Sequence, residues 1–365
     1  MEIHSGVWRR RRTGGGVEVV INPFVRSPLP PSNWNLNHDE RCPGHAVLHL
    51  RAGDTTLPPD AKGDRCGTCT ACNARRQRDA LRGHLEGEFA VAEFLISGSY
   101  RRRTAIQPLN DVDLFVVFDP ESEKKLRDAA PRTILKRVLD VLDDAYPTKE
   151  KPKAQSRSVN VEFKGTGLSF DVVPAFPDDV DGYVIPDRDA GAWIRTNPRR
   201  HKEHATAANE ASGKKAKPIV KALKSWNSRH SSKLVRSFHL ELMVYEALRS
   251  DPGSYPVGIT KALRAMSTRV LHSMPEPAGV GPDVDAGMTS TERGRASMAF
   301  AAAADIADKA IQAAERGETG EAHFHWHTLL GSGYPEKGKA LSRSAPALVG
   351  VGASRSPDPK HRRFG

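Results

Sequence analysis

The sequence predicts an α+β fold in which a half built around a β-sheet precedes a half built from helices. Over about residues 74–180, short apolar runs bounded by turn residues alternate with amphipathic helices, as in a sheet covered by helices. Beyond Pro174, and clearly over about residues 190–335, the apolar residues recur at helical spacing, so we expect helices there.

The length, charge and cysteine content exclude several classes of protein. The 365 residues suffice for roughly two or three domains. The net charge of +11 lies mostly at the ends, because residues 1–12 contribute +3 and residues 336–365 contribute +5. A large nucleic-acid-binding face therefore does not follow from the charge alone. With no apolar run of ~20 residues, no secretory signal and too few cysteines for a disulfide framework, we expect a cytoplasmic protein without membrane contact.

The first half begins with a helix and two strands. Leu81, Leu85 and Phe89 recur every four residues and predict an amphipathic helix. Residues 92–96 predict a short strand that ends at a Ser-Gly-Ser turn. The continuous apolar run at residues 114–118 predicts a central strand that is covered on both faces.

A second helix and a hairpin follow, and then the helical half. Residues 134–145 carry apolar side chains at helical spacing, and Pro147 stops this helix. Residues 159–163 and 168–173 flank a turn containing two glycines, which predicts a β-hairpin. The helical half is predicted from three stretches: residues 219–226, residues 240–248 and the alanine-rich residues 291–316.

All four cysteines lie close together near the N-terminus. Cys66, Cys69 and Cys72 are spaced so that three thiolates could surround one Zn²⁺, with Cys42 or His45 as the fourth ligand. A structural Zn²⁺ would order a region with little apolar material. The spacing is not that of standard paired zinc knuckles, and either reduced thiols or a flexible leader explains it without a metal. Zinc binding is therefore one of three alternatives.

Paired carboxylates and a glycine-serine turn indicate a site that binds metal ions and phosphate groups. Asp111 and Asp113 stand two residues apart at the head of a predicted strand, so both carboxylates point to the same face. Such ligands suit Mg²⁺, which binds carboxylates together with substrate phosphate oxygens. Gly98 lets the backbone approach a phosphate that the Ser99 hydroxyl and nearby N–H groups can hold. Asp171 lies within an apolar strand, where an acid is costly without a strong partner such as a metal ion.

Three carboxylates and a phosphate cradle on one sheet predict a two-metal nucleotidyl-transfer site. In such a site one of two Mg²⁺ ions, with Mn²⁺ as the alternative metal, polarises the attacking hydroxyl, and the other holds the triphosphate and the leaving pyrophosphate. The series over residues 98–117, with Gly-Ser-Tyr, Thr-Ala-Ile, Pro-Leu and Asp-Val-Asp-Leu-Phe-Val-Val, resembles a known pattern. It resembles the cGAS/DncV-like nucleotidyltransferases (CD-NTases) of bacterial CBASS anti-phage signalling, which belong to the polymerase-β superfamily. Arg103 stands where this family commonly has glycine.

The resemblance extends over about residues 75–335 and implies roles for further residues. Asp171 lies in a segment that resembles the strand of the family's third acid. Lys224 matches a triphosphate-binding lysine, and Ser237 matches a serine that reaches the phosphates. Phe238 matches an aromatic residue that stacks on a base.

The resemblance also implies the architecture. We expect a polymerase-β-like nucleotidyltransferase sheet with flanking helices, followed by a helical half like that of oligoadenylate synthases. The expected segments are an irregular N-terminal extension at 1–73 with one short strand at 17–21, a catalytic core at 74–185, a helical domain completing the nucleotide pocket at 186–335, and a disordered basic tail at 336–365.

The function implied by the resemblance is synthesis of a cyclic or linear oligonucleotide from NTPs, whose product activates an effector protein in an infected cell. Two alternatives stay open. A nucleotidyltransferase could instead modify RNA or a small molecule, although no added RNA-binding module is visible. A catalytically silent nucleotide or nucleic-acid sensor would use the basic ends, so nucleic-acid binding is undecided and would be salt-dependent.

Overall fold

The computed structural model describes residues 70–106, 111–147, 151–178 and 181–334, together with three strands near the N-terminus. These three strands pair antiparallel in chain order as a separate sheet: β1 (Glu2–His4), β2 (Val7–Arg11) and β3 (Val17–Ile21). The strand predicted at residues 17–21 is confirmed, and its two neighbours were not predicted.

A mixed seven-stranded sheet forms the first half of the described chain. Its elements in chain order are α1 (Thr70–Glu86), β4 (Val91–Ile96), α2 (Gly98–Arg102), β5 (Asp111–Phe118), α3 (Lys124–Arg127), α4 (Pro131–Ala145), β6 (Lys153–Ala154), β7 (Val159–Phe163), β8 (Leu168–Pro177), β9 (Tyr183–Asp187) and β10 (Ala192–Thr196). The strand order is β10-β9-β8-β5-β4, and β7 pairs with the first half of β8 while β6 pairs with β7. The predicted strands, the second helix and the hairpin are confirmed.

The central strands β5 and β8 run parallel, and their side chains alternate between two faces of the sheet. The even-numbered residues of both strands pack into a core beneath α1 and α4, where Leu114 and Phe170 are fully buried. The odd-numbered residues face the other way, and Phe115 and Val173 belong to a smaller cluster on that face. Both faces are therefore covered over most of β5, which explains its continuous apolar run.

Helices make up the second half of the described chain: α5 (Pro198–Ala211), α6 (Ala216–Ser228), α7 (Ser237–Ala247), α8 (Tyr255–Arg269), α9 (Ser290–Glu315) and α10 (Thr319–Leu330). Thr289 starts α9 with a capping box, in which its hydroxyl accepts from the Glu292 N–H and the Glu292 carboxylate accepts from the Thr289 N–H. The alanine stripe of α9 is buried in the helical core with α8 and α10. Small side chains permit this close helix packing.

Two sequence predictions were wrong in detail. Phe89 lies beyond the end of α1, although its ring is buried against Phe118 at a centroid distance of 4.9 Å. Its spacing from Leu85 therefore reflects burial in a shared core and not a continuing helix. The chain beyond Pro174 does not become helical at once, because β8 continues and β9 and β10 form an antiparallel hairpin first. The apolar alternation of this hairpin is interrupted by polar residues and by Pro186 and Gly191. The sequence pattern therefore did not predict the two strands.

The β9–β10 hairpin also crosses the boundary expected between residues 185 and 186, so the division into domains stays a prediction. Cys42, Cys66 and Cys69 and the basic tail lie outside the described residues. Cys72 is half-buried near the start of α1. Among the described helices, none is both long and apolar enough to cross a membrane.

Replacing Phe118 with alanine is expected to lower the free energy of unfolding by about 3–5 kcal/mol, because it leaves a cavity between two aromatic rings. The Phe118 ring is fully buried, and its centroid lies 4.9 Å from that of Phe89 and 5.8 Å from that of Phe176. Urea unfolding measures the change. Met298→Ala is the control, since this side chain is 70% exposed and its loss should cost under about 0.5 kcal/mol. Equal costs for the two variants would contradict the assigned core.

Candidate active site

The three predicted carboxylates lie on one face of the central strands. Asp111 and Asp113 begin β5, and Asp113 is in register with Asp171 of β8. All three are odd-numbered, so they point away from the apolar core beneath α1 and α4. Asp111 is exposed, and the other two are half-buried. The structure therefore brings together the acids that the sequence singled out, on strands about 4.8 Å apart.

Burial and like charge both raise the pKa of the central carboxylate, Asp113. The pKa of Asp113 is raised to about 6, first by burial and then by the negative charge of Asp171, with Asp111 adding to the effect and Arg102 opposing it. Burial also raises the pKa of Asp171. The site thus holds negative charge that the nearby protein groups do not neutralise, which is the setting that a bound cation would stabilise.

Asn160 holds the third acid in place, and the sequence analysis missed this residue. It lies on β7 directly opposite Asp171 in the hairpin. Its amide Nδ2 donates to Asp171 Oδ1 at 2.8 Å and to Ser169 Oγ at 2.6 Å. The first bond lowers the pKa of Asp171 against the effect of burial. The signal that could have found Asn160 is the register of the hairpin, which places this residue opposite Asp171.

The glycine-serine turn folds directly onto the carboxylates. Gly98 has a φ of +62°, and a Cβ at this position would collide with the carboxylate of Asp113. The Ser97 N–H donates to the backbone carbonyl of Asp113 at 2.8 Å. The Ser99 carbonyl accepts from the Thr104 N–H at 2.9 Å, which closes the turn behind the serine. Only glycine permits this approach of backbone to carboxylate.

Lys224 lies inside the protein beside this turn. Its ammonium donates to the Thr104 carbonyl at 3.0 Å and to Glu241 Oε1 at 3.2 Å. Glu241 has no exposed surface and also accepts from Arg102 and Thr104. The sequence did not single out Glu241, because nothing local to α7 indicates Arg102 and Thr104, which lie some 140 positions earlier on α2 and just after it.

The two predicted residues at the start of α7 lie next to the same network. Ser237 is the first residue of α7, and both it and Phe238 are half-buried. The Arg102 guanidinium lies 4.7 Å from the centroid of the Phe238 ring, and the His201 ring lies 5.0 Å from it. The start of α7 is therefore joined to α2 through Arg102.

Further cations line the approach to the turn. Lys217 and Lys221 precede Lys224 on α6 at helical spacing. The pKa of Lys221 is lowered to about 8, first by burial and then by the positive charges of Lys224, Lys217 and Arg103. Arg103 is exposed and adopts a φ of +60°, a left-handed conformation that glycine takes without cost. These crowded cations suit a polyanion such as a triphosphate.

The donor set at the acids fits a hard cation. Across the ranges that the structure describes, no three histidine, cysteine, aspartate or glutamate side chains are grouped to hold a metal ion by themselves. Mg²⁺ is usually held by one or two carboxylates, with substrate phosphates and water completing its shell. Asp111, Asp113 and Asp171 offer only oxygen ligands, and their mutual repulsion favours a shared cation.

Asp113→Asn is expected to raise the melting temperature of the metal-free protein at pH 8. The folded-state pKa of about 6 exceeds the 3.8 of an ordinary aspartate, so the ionised carboxylate opposes folding above pH 6. This penalty disappears as the pH falls towards 4, where the carboxyl is protonated in the folded protein. The increase in melting temperature caused by Asp113→Asn should therefore be larger at pH 8 than at pH 4.5.

Thermal unfolding in EDTA at the two pH values measures this difference. Asp144→Asn, an exposed position on α4, is the matched control and should change little at either pH. An equal increase in melting temperature at both pH values would contradict the explanation that the ionised Asp113 carboxylate opposes folding.

The chain is similar in sequence to known nucleotide synthases. Residues 67–209 match the Second Messenger Oligonucleotide or Dinucleotide Synthetase domain. A cyclic AMP-AMP-AMP synthase of an Acinetobacter species is 28% identical over 290 residues, which cover 74% of this chain and 81% of that relative.

Solved structures share the fold. CdnC of E. coli MS115-1, solved with ATP, aligns with a TM-score of 0.56 at 23% identity, covering 72% of this chain and 91% of its own. The cyclic AMP-GMP synthase DncV of Vibrio cholerae, solved with a linear intermediate, aligns with a TM-score of 0.55 at 12% identity over 67% of this chain and 70% of its own. The predicted fold class, a polymerase-β-like sheet followed by helices, is confirmed.

The domain match includes the glycine-serine turn and all three acids, so the chemistry-bearing motif and the fold point to the same family. The family prediction made from residues 98–117 is thereby confirmed. Residues 67–209 thus carry the Second Messenger Oligonucleotide or Dinucleotide Synthetase domain, and the chain is similar to cyclic nucleotide synthases of the CD-NTase type, among them the CBASS oligonucleotide cyclase CdnC of E. coli.

Proposed function

We propose that this protein is a CD-NTase that joins NTPs into a cyclic oligonucleotide second messenger. The observation that carries the proposal is the set of acids on β5 and β8, with the turn at Gly98 packed against Asp113. The Acinetobacter relative is a cyclic AMP-AMP-AMP synthase, so a cyclic product of three adenylates is the first one to seek. Such a product would be released to activate an effector protein.

Asp111, Asp113 and Asp171 are the residues that would hold Mg²⁺. When bound, the metal would lower the pKa of the attacking ribose hydroxyl and neutralise charge on the donor triphosphate. We assign Asp171 to help remove the proton of that hydroxyl. Since Asn160 donates to Asp171 Oδ1, Oδ2 is the oxygen that we assign to this step.

The donor phosphates would lie against the glycine-serine turn and the cations of α6. The Ser99 and Ser237 hydroxyls would donate to phosphate oxygens, and Lys217 and Lys221 would offset the phosphate charge. Lys224 has three N–H donors, two of which point to protein oxygens in the structure, so one is left for a phosphate. Phe238 offers a ring face on which a base could stack.

The experiment is to incubate the purified chain with the four NTPs and Mg²⁺, treat with phosphatase and analyse the products by mass spectrometry. We expect a phosphatase-resistant cyclic oligonucleotide, whose mass gives the bases and the ring size. Asp111→Asn/Asp113→Asn should abolish it, and Asp144→Asn should retain it. The absence of any product from the folded protein in every NTP mixture would overturn the proposal, and a product on an added RNA alone would favour the RNA-modifying alternative.

Gly98→Ala is expected to reduce product formation by roughly 100-fold, because the added Cβ displaces either the turn or the Asp113 carboxylate from its reactive position. Gly167→Ala is the matched control. Gly167 also has a positive φ, +70°, in the β7–β8 turn, but an added Cβ there meets nothing within 4 Å. Initial rates per folded molecule separate the two variants. Equal losses would mean that backbone strain, and not the contact with Asp113, causes the effect.

A further inference from the structure

A buried ion network joins the glycine-serine turn to the helical half. At its centre is Glu241 of α7, which has no exposed surface. Its carboxylate accepts hydrogen bonds from Arg102 Nε at 2.9 Å, Arg102 Nη2 at 3.2 Å, Thr104 Oγ1 at 2.9 Å, Lys224 Nζ at 3.2 Å and Tyr245 Oη at 3.4 Å. One carboxylate therefore binds residues from α2, from the segment after it, from α6 and from its own helix.

Each main partner of Glu241 is linked onward to a residue that the proposed function places on the nucleotide. Thr104 donates its N–H to the Ser99 carbonyl, and its own carbonyl accepts from Lys224. Arg102 places its guanidinium on the Phe238 ring. The carboxylate thus sets the position of the turn relative to the start of α7.

The charge of Glu241 is what holds the network together. Burial opposes its ionisation, but the positive charges of Arg102 and Lys224, together with their hydrogen bonds, keep the pKa of Glu241 below its usual range. Without this carboxylate, two cations would remain buried next to each other with no acid between them. Arg102 and Lys224 would then have to move apart, and the Thr104 hydroxyl would lose its hydrogen-bond acceptor.

We propose that Glu241 is a positioning residue for nucleotidyl transfer, whose carboxylate holds the Ser99 turn of the sheet half in register with α7 of the helical half. This inference rests on the proposed function, because it concerns the rate of that reaction. In that function Glu241 itself contacts no nucleotide. Its loss leaves Ser99, Lys224 and Phe238 in the site but shifts them relative to one another, so we expect the chemical step, which depends on their exact positions, to slow far more than NTP binding weakens.

The primary test is Glu241→Gln, which keeps the shape of the side chain and removes its charge. We expect kcat to fall by about 30-fold and the KM for ATP to change by less than about threefold, because small displacements of reacting groups act on the chemical step. Glu246→Gln is the matched control, an acid on the same helix that pairs with Arg269 at 2.6 Å near the surface. Its kcat should stay within about twofold of wild type.

Rates are measured well below the lowest melting temperature, so that every variant is fully folded and a purely structural role would leave kcat unchanged. Thr104→Val provides a second probe, which removes one hydroxyl from the network and also serves if Glu241→Gln does not fold. Thr104→Val alone should lower kcat by about tenfold with KM unchanged. Added to Glu241→Gln, it should lower kcat little further, because its hydroxyl has already lost its charged partner.

The outcomes separate this inference from the proposed function. A wild-type protein that makes no oligonucleotide would overturn the proposed function. A wild-type protein that is active, with either single variant at wild-type kcat or with losses that multiply in the double variant, would overturn the positioning role of Glu241. A rise in KM that accounts for the whole loss in kcat/KM would also overturn it, since that would indicate nucleotide binding.

Discussion

The parallel pairing of β5 with β8 is the constraint on which the rest of the structure depends. It sets Asp113 against Asp171, an arrangement that burial and like charge both disfavour. The register persists because a shift by one residue would turn Leu114 and Val172, which are fully buried beneath α1 and α4, to the opposite face. The apolar core on one face of the sheet thus holds the acids together on the other.

The site combines two groups of charges that the protein leaves unbalanced. Burial and then the neighbouring acids raise the pKa of Asp113, and on α6 burial and then the neighbouring cations lower the pKa of Lys221. A metal ion alone would balance the first group, and a free polyphosphate alone would balance the second. A complex of Mg²⁺ with a nucleoside triphosphate carries both charges next to each other, and it would therefore bind more favourably than either part.

The sequence could predict the parts of the site that depend on local spacing. The period of a strand placed Asp111 and Asp113 on one face, and the need for a partner singled out Asp171. Asn160 was missed because its role depends on which residue lies opposite it in the hairpin, and the exact register is not visible in either strand alone. Glu241 was missed for a stronger reason: its partners Arg102 and Thr104 lie 139 and 137 positions away in the chain, so no local pattern links them to it.

The resemblance to the family supplied residue identities, and the structure adds how they are held. Arg103 illustrates the difference, because its left-handed backbone explains physically why a glycine is common at this position. Lys224 illustrates it again. Most of its side chain is buried, and its ammonium contacts Thr104 and Glu241. In the proposed function, this one side chain would therefore both bind a phosphate and hold the Ser99 turn in position.

A buried ion network is a poor means of stabilising a fold. Taking Arg102, Lys224 and Glu241 out of water costs free energy that their mutual attraction offsets only in good geometry, and apolar side chains of similar volume commonly stabilise a core as well or better. The helical core next to this network is in fact apolar, as Leu240 and Val244 show on the same helix. What apolar side chains cannot supply is directional contact with a backbone carbonyl and a hydroxyl at the Ser99 turn. The location of the network directly beside the Ser99 turn is thus better explained by the geometry of the proposed reaction than by stability.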